Sequence, residues 1–501
     1  MKTTVEFFQL DFMASLFPLQ TNQLMMRNAF PELQAYVARV LSSSPADKGH
    51  SFVPQARAHA AKPNHHLRRT IVLDPVATCF LYDIVYRNRT AFDSPRKPSR
   101  VAFGYRFVKG NPIAVHKAFQ DYSQAIDDAK LEYAYSLSFD IASYFNLIYH
   151  HDLGHWFSNL KGVSPADATA FSEFTREINA GRSVDFLPHG IYPAKMIGSA
   201  FLRFVEQSGQ IKCARTLRFM DDIHLFGNNK ETLIEDFLVT QDLLGGVALN
   251  VNPGKTSFDG ELRTVQESAS AIRERLGDIL DEKDQPRMYF GSGVDWSEND
   301  QDESDEEGND LPAEKIQALE QLLIDPRADE TDVELILGIL QDHDAIPGSA
   351  IATLYARFPN IAKQLYKLIE SLNDKEQVAT DLAALVESGA SLLEYQLFWL
   401  AAIAEDHLAS TKGFSRVVMG IYERSDAYEI AMAKVLEIPN QTFGLKEVRA
   451  KILKGGSSGW KSWAAAMGTR TLARAERNYA LKYFANGSNM NQLIASCVMK
   501  L

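Results

Sequence analysis

The stretch that decides the fold is RFMDDIHLF, residues 218–226. Two adjacent carboxylates, Asp221 and Asp222, stand between two short apolar runs of β-prone residues, which predicts a β-hairpin with the acids at its turn. Burying adjacent carboxylates in a hairpin is unfavourable unless a cation or another partner compensates their charge. The chain's other pair, Asp127–Asp128, lies in a polar helical stretch, where a solvated helix face explains it. The apolar frame therefore marks Asp221 and Asp222 as candidate functional residues.

Two further segments flank this hairpin in the sequence. Upstream, SLSFDIASYFNLI (136–148) predicts an apolar strand that ends at Asp140, and an acid at a strand end is a typical ligand for a hard metal ion. Downstream, LNVNPGKTSF (249–258) predicts a strand, an Asn-Pro-Gly turn and then Lys255. Taken alone, the second segment is equally well explained as a surface turn with an exposed lysine.

In this order, the three segments resemble the palm of reverse transcriptases. There, motif A has an Asp followed five residues later by an aromatic residue, motif C reads aromatic-x-Asp-Asp, and motif D has Leu-Asn followed by Lys-Thr. The matching residues here are Asp140 with Phe145, Phe219 with Asp221 and Asp222, and Leu249–Asn250 with Lys255–Thr256. The resemblance covers roughly residues 130–260.

The resemblance implies a nucleotidyltransferase that uses two Mg²⁺ ions. Asp140 and Asp221 would be the metal ligands, with Asp222 as a weaker one. Phe145, with Ile141 in the same nucleotide site, would lie under the sugar of the incoming dNTP and leave no room for a 2′-OH. Lys255 would protonate the leaving pyrophosphate or neutralise its charge.

A basic region precedes the palm-like segments. From Arg57 to Lys109 there are eleven Lys and Arg and three Asp and Glu, an excess of +8. Within it, we expect Lys97 and Arg100, beside the strand-like run RVAFGYRFV, to belong to the fingers and to hold the triphosphate.

One departure from the reverse-transcriptase pattern bears on how the template is used. Motif B usually reads GLPQG, and GIYPAKMIGSAFL (190–202) occupies its place. Gly190 and Ile191 match, but Tyr192, Pro193 and Ala194 replace Pro-Gln-Gly, which normally packs near the template and the nascent pair. This departure puts ordinary template-directed copying in doubt.

A palm with an altered motif B and a helical C-terminal part resembles the abortive-infection (Abi) polymerases of bacteria and prophages, in particular the smaller, prophage-encoded type. That resemblance implies anti-phage defence, untemplated DNA synthesis, priming from a protein tyrosine, a single-stranded DNA product attached to protein, and a homo-oligomer, either trimer or hexamer. Tyr36 is a candidate primer, because it is the first tyrosine and the next is Tyr82. The alternative for Tyr36 is a packed residue of the predicted helix LQAYVARVL.

The sequence predicts an α+β chain in three parts. Residues 1–295 would form the reverse-transcriptase-like fingers and palm. Residues 296–310, within a run from Asp295 to Asp310 that holds nine acids and no base, would form a solvated linker or loop. Residues 311–501, which show apolar residues at helical spacing, would form an all-α domain of HEAT-like helix pairs.

Near the C-terminus, a basic run accompanies aromatic residues at helical spacing. Its members are Arg470, Arg474, Arg477 and Lys482, interleaved with Tyr479, Tyr483 and Phe484. The run fits a surface that guides single-stranded DNA by charge and stacking, and it fits equally a solvated helix face with core aromatics.

Bulk properties limit the remaining choices. The net charge of −12 argues against avid binding to long duplex DNA, although a local basic groove suffices for a polymerase. Three distant cysteines form no disulfide framework, and the N-terminus lacks the pattern of a signal peptide, so we expect a soluble cytoplasmic protein without a membrane segment. The resemblance to Abi polymerases implies that this cytoplasm is bacterial. A conventional RNA-templated reverse transcriptase and a helical-repeat scaffold with an inactive palm remain alternatives.

Overall fold

The computed structural model describes residues 3–42, 49–63, 65–92, 97–180, 182, 185–259, 312–325, 327–328, 330–340 and 348–501. The predicted acidic linker, 296–310, lies outside these residues. Strands and helices mix before residue 260 and only helices are found after residue 311 of the described chain, so the α+β class and the helical C-terminal part are confirmed.

The chain begins with helices and a β-hairpin. These are α1 (Thr4–Phe12), α2 (Gln20–Asn28), α3 (Phe30–Ser42), β1 (Ala56–Ala61), β2 (Leu67–Val72) and α4 (Pro75–Arg87). Strands β1 and β2 are antiparallel, with Ala60 opposite Arg68 and His59 opposite Arg69. Because side chains alternate between the two faces of a strand, Arg68 shares a face with the buried Thr70, whereas Arg69 points outward.

A five-stranded sheet forms the centre of the next part. Its elements in chain order are β3 (Arg100–Phe103), β4 (Phe107–Val108), β5 (Asn111–Pro112), α5 (Val115–Glu132), β6 (Tyr135–Asp140), α6 (His150–Ser158), α7 (Pro165–Ile178), α8 (Tyr192–Phe201), α9 (Arg203–Gln207), β7 (Arg215–Phe219), β8 (Asp222–Gly227), α10 (Lys230–Gly245) and β9 (Ser257–Asp259). The sheet has the order β3-β7-β8-β6-β9, and β4 pairs with β5 separately. The strand that ends at Asp140 and the hairpin β7–β8 are where the sequence predicts them.

Helices cover both faces of this sheet. From α5, Phe119 and Tyr122 pack against Phe219 of β7, with ring centroids 5.2 and 5.5 Å apart. From α10, Phe237 packs on Phe139 of β6 at 5.0 Å, on the opposite face. Because helices cover both faces, residues 216–219 of β7 are all buried, although two of them, Thr216 and Arg218, are polar.

The C-terminal part consists of helices. They are α11 (Ala313–Leu323), α12 (Glu330–Leu340), α13 (Gly348–Arg357), α14 (Ala362–Ser371), α15 (Lys375–Glu387), α16 (Glu394–His407), α17 (Phe414–Arg424), α18 (Glu429–Glu437), α19 (Leu445–Lys454), α20 (Trp460–Gly468), α21 (Arg474–Ala485) and α22 (Asn489–Lys500). Most helices from α13 onward pack on the helix two places further along the chain. That pattern fits stacked helical hairpins, as in helical repeats.

The helical part packs directly on the N-terminal elements. The buried carboxylate of Glu437, at the end of α18, accepts hydrogen bonds from the backbone amides of Gln20 (2.7 Å) and Thr21 (2.9 Å) at the start of α2. Lys363 of α14 donates to the carbonyl of Ala14 at 3.0 Å. Across the described ranges, no helix combines the length and apolar character that crossing a membrane requires.

Candidate active site

The sheet brings the three predicted carboxylates together. Asp140 is the last residue of β6 and lies opposite Asp222, the first residue of β8, in the antiparallel register. Asp221 comes directly before Asp222 and belongs to the two-residue turn Met220–Asp221, which joins β7 to β8. Directly opposed residues of such a pair have Cα atoms roughly 4.5–5.5 Å apart, so the three carboxyl groups share one end of the sheet.

The turn that presents Asp221 has an uncommon backbone. Met220 has φ +55°, in the left-handed region that residues with a Cβ seldom adopt, and its side chain is buried. Such conformations persist only where the surroundings hold them, and they cluster at functional sites.

Arg218 supplies that support from below the turn. Its side chain is fully buried, with Nη1 donating to the carbonyl of Met220 (2.7 Å) and Nη2 donating to the carbonyl of Ser199 in α8 (3.0 Å). Its Nε donates to the carboxylate of Glu206 in α9. The guanidinium therefore ties the turn to two helices.

The surroundings of the carboxylates disfavour a further negative charge at Asp221. Burial raises the pKa of Asp221 well above its ordinary value, and the nearby carboxylates of Asp140 and Asp222 raise it further. Oδ1 of Asp140 is buried and has no hydrogen-bond partner among the described residues. A bound cation would accept the free oxygen of Asp140 as a ligand and would stabilise the ionised form of Asp221.

Lys255 is the nearest cation to Asp140. Its Nζ lies 3.3 Å from Oδ2 of Asp140, and its side chain is about half exposed. The chain after α10 is held against β6, because the amide of Asn252 donates to the carbonyl of Asp140 (2.7 Å) and the amide of Ala142 donates to the carbonyl of Asn250 (2.8 Å). The predicted motif D lysine thus faces the predicted motif A aspartate.

Two carboxylates of this cluster could hold a metal ion together with a bound substrate. Over the described ranges, no group of three or more His, Cys, Asp or Glu side chains could by itself hold a metal ion. Mg²⁺ usually keeps several waters and binds through one or two carboxylates together with substrate phosphates. Asp140 and Asp221 supply two such carboxylates.

Phe145 and Ile141 lie directly after Asp140. Phe145 is buried to 8% exposure and packs against the ring of His189, with centroids 4.5 Å apart. A Cβ added at Gly198 of α8 would lie 3.3 Å from the Phe145 ring, so the glycine allows this close approach. Ile141 is 1% exposed and pairs with Val251, so only its backbone can face a nucleotide.

Sequence reasoning missed two cations near this site, Lys62 and Arg68 of the β1–β2 hairpin. Burial lowers the pKa of Lys62, as do the charges of Arg68 and Lys255, while Asp221 and Asp140 oppose that change. Lys62 is therefore within electrostatic range of Asp221 and Asp140, and Arg68 is within range of Lys62. Both residues belong to the +8 region that begins at Arg57, but the sequence of that region does not indicate which of its cations approach the carboxylates.

Arg100 and Lys97 do not join the cluster. Arg100 pairs with Thr216 at the other end of β7 from the carboxylate turn. Its guanidinium donates to the carbonyls of Ile211 (2.9 Å) and Cys213 (2.7 Å), which occupies it in holding the loop before β7. Lys97 pairs with Arg100 at that same distant end.

Tyr36 lies inside α3 rather than at the site. It is 8% exposed, and burial raises its pKa to about 12, which makes its hydroxyl hard to ionise. Its ring packs edge-on against His50, with centroids 4.8 Å apart. This environment does not favour Tyr36 as a nucleophile, and the alternative of a packed helix residue describes it better.

The segment at the position of motif B packs and forms hydrogen bonds within the protein. Gly190 has φ +97°, and a Cβ there would lie 2.4 Å from Leu16, so only glycine fits. Where Pro-Gln-Gly would follow, α8 begins with Tyr192, which is buried. The amide of Tyr192 donates to Asp11 (2.7 Å) and its hydroxyl donates to the carbonyl of Arg106 (2.8 Å).

No protein family model matches the chain, and no curated protein matches it. Among solved structures, the chain is similar to apo telomerase from Candida tropicalis, with 12% sequence identity and a TM-score of 0.32. That alignment covers 83% of this chain and 73% of the telomerase chain. A likeness this slight assigns neither activity nor substrate, so the site is judged on its own geometry.

Proposed function

We propose that this chain is a DNA polymerase of the nucleotidyltransferase class, which joins dNTPs with the aid of two Mg²⁺ ions. The observation that carries the proposal is the meeting of Asp140 with Asp221 and Asp222 at one sheet end, with one carboxylate oxygen unsatisfied and Lys255 at 3.3 Å. A purely structural role would not explain why one buried and two half-buried carboxylates lie together.

Asp140 and Asp221 would hold the ions, and Asp222 would contribute from the facing strand. When bound, the ions activate the attacking hydroxyl and stabilise the charge of the leaving pyrophosphate. Arg218 keeps Asp221 in position through the carbonyl of Met220.

Lysine and arginine side chains of this protein would bind the triphosphate and neutralise its charge. As the attacking oxygen bonds to the α-phosphorus, the bond from that phosphorus to the bridging oxygen breaks and pyrophosphate leaves. Lys255 would give a proton to this leaving group or neutralise its charge. Lys62 and Arg68 would bind its outer oxygens, and Phe145 would lie against the sugar and exclude a 2′-OH.

The finer parts of the proposal follow the resemblance to Abi polymerases. Synthesis would proceed without template. The three residues that replace Pro-Gln-Gly are buried, and Tyr192 is hydrogen-bonded within the protein, which supports the absence of a template contact there. A protein tyrosine would prime it, leaving single-stranded DNA attached to the protein. The active form would be a homo-oligomer, and the activity would serve anti-phage defence.

The test is a synthesis assay on the full chain. Purified protein is incubated with dNTPs and Mg²⁺, with and without a primed RNA or DNA template, and half of each sample is then treated with protease. The proposal predicts DNA in the absence of template, a mobility shift after proteolysis and no product from the double variant Asp221→Asn/Asp222→Asn. The variant Asp127→Asn/Asp128→Asn, which changes the helical Asp pair, is the matched control and should be active.

Each other result points to a different protein. Product that appears only with a primed template, and is complementary to it, identifies a conventional reverse transcriptase. The absence of product in every oligomeric state contradicts the polymerase proposal. If the Asp221→Asn/Asp222→Asn variant still protects cells from phage, the chain acts as a binding scaffold instead.

A further inference from the structure

The basic and aromatic run near the C-terminus divides into a buried part and an exposed part. Arg470 donates to the carbonyl of Glu437 (2.6 Å), and the largely buried Arg477 donates to the carbonyl of Arg470 (3.0 Å). Phe484 is fully buried. These side chains support the packing of the helical part, so they cannot also face a ligand.

Tyr479 and Tyr483 form the exposed part. They lie one turn apart on the same face of α21, with 65% and 54% of their surfaces exposed. Among the aromatic side chains that the structure describes, these are the two with more than half of their surface exposed. Their ring centroids are 6.4 Å apart and the ring planes are nearly perpendicular. Two adjacent exposed tyrosines form an aromatic platform, unlike a single scattered surface residue.

Two lysines flank this platform. Lys482 is exposed on α21, three residues after Tyr479 and next to Tyr483, and Lys454 is exposed at the end of α19. The loop after Lys454 approaches the backbone of α21 at Tyr483, since a Cβ on Gly456 would lie 4.0 Å from the carbonyl oxygen of Tyr483. Within the described ranges, these two lysines form no ion pair. We call Lys454, Tyr479, Lys482 and Tyr483 the α21 surface.

We propose that the α21 surface binds single-stranded nucleic acid. Two bases would stack on Tyr479 and Tyr483, and the phosphates beside them would contact Lys454 and Lys482. Stacking requires bases with free faces, so a single strand fits and a duplex does not. The phosphates of the strand would provide oppositely charged partners for the unpaired cations. In a chain that makes single-stranded DNA, this surface would hold the product away from the site of synthesis.

The test measures binding without synthesis. Fluorescence anisotropy of a fluorescein-labelled dT 20-mer is recorded with the full-length protein in EDTA and without dNTPs, and a 20-base-pair duplex is measured in parallel. Tyr479→Ala/Tyr483→Ala should weaken binding of the single strand at least tenfold, because a stacked base contributes about 1–3 kcal/mol. Tyr479→Phe/Tyr483→Phe, which keeps both rings, should stay within about threefold of the native protein.

Two further variants separate charge from general surface effects. Lys454→Ala/Lys482→Ala should reduce the slope of log K against log salt by about 1.4, since each phosphate contact on a single strand contributes roughly 0.7. Leu238→Ala removes an exposed aliphatic side chain from α10, 60% exposed, and should change nothing. Circular dichroism and thermal unfolding confirm that each variant is folded.

Three results would overturn the proposal. These are absence of binding by the native protein, equal binding by the Tyr→Ala double variant, and equal or tighter binding of the duplex. If the Tyr→Ala variant binds normally but changes its sedimentation, the α21 surface joins copies of the chain instead. Because no metal or dNTP is present, none of these results bears on the proposed synthesis.

Discussion

Replacing Arg218 tests whether the turn that carries Asp221 is held by this one buried guanidinium. Arg218→Met keeps most of the side-chain volume but removes the hydrogen bonds to the carbonyls of Met220 and Ser199. It also leaves the Glu206 carboxylate, 5% exposed, without its partner. Removing one member of a buried ion pair typically costs about 3–5 kcal/mol, so we expect the free energy of unfolding to fall by about 4 kcal/mol.

Thermal unfolding of the full chain measures this loss. At about 2–4 °C per kcal/mol for a domain of this size, the midpoint should fall by roughly 8–16 °C. Arg215→Met is the control on the same strand, because Arg215 pairs with Glu132 at 3.7 Å and that glutamate is largely exposed, so the loss should stay below about 1 kcal/mol. Hydrogen exchange at residues 219–223 should quicken only in the Arg218 variant.

The double variant Arg218→Met/Glu206→Leu separates ion pairing from packing. Replacing both members of a buried pair by apolar residues is often nearly neutral, so the double variant should recover much of the loss of the single one. If Arg218→Met unfolds within about 1 kcal/mol of the native protein, or the double variant is no more stable than the single one, the guanidinium does not hold the turn as described.

Four other predictions concern acidity, the contact between the two halves, and catalysis. Burial raises the pKa of Asp11 from 3.8 to about 6, so the carboxyl group must ionise in the folded protein as the pH rises from 4 to 8. Over that range the free energy of unfolding of the native protein should fall by roughly 3 kcal/mol relative to that of Asp11→Asn. Equal pH profiles of the two proteins in urea unfolding would refute this. Glu437→Ala should lower the free energy of unfolding by about 3–5 kcal/mol, because it leaves the amides of Gln20 and Thr21 without their acceptor and removes one of the two carboxylates that Lys434 contacts, and Glu437→Gln should cost clearly less. Lys255→Ala should lower kcat for dNTP incorporation roughly 10²–10⁴-fold, while Lys230→Ala, a lysine on α10, serves as the unaffected control. Phe145→Ala should relax the preference for dNTPs over rNTPs by roughly 10–200-fold in competition assays, and an unchanged ratio would exclude the ring from sugar selection.

The local parts of the site could be predicted from the sequence, because their signals are local. The apolar frame around Asp221 and Asp222 specifies a hairpin by itself, and the strand before Asp140 has its own alternation. The order of the motifs then predicted that Asp140 and Lys255 approach that hairpin, and the register of β6 with β8 brings them there.

The parts that depend on distant contacts could not be predicted. Lys62, in the β1–β2 hairpin, is within electrostatic range of Asp221, a residue more than 150 positions later, and no local pattern encodes that proximity. Arg100 resembles a free cation in the sequence, but carbonyls of residues 211 and 213 occupy its guanidinium. The basic run at 470–482 could not be divided into buried and exposed residues without the packing of α21 on its neighbours.

The contact of Glu437 with α2 also orders events during translation. Helix α2 follows Leu19, whose aliphatic side chain cannot accept a hydrogen bond, so the amide of Thr21 receives its acceptor from a residue 416 positions later. At about 5–20 residues per second, the ribosome adds that residue roughly 20–80 s after Thr21. The start of α2 therefore acquires these hydrogen bonds only after residue 437 has been made, long after the helix itself has left the ribosome.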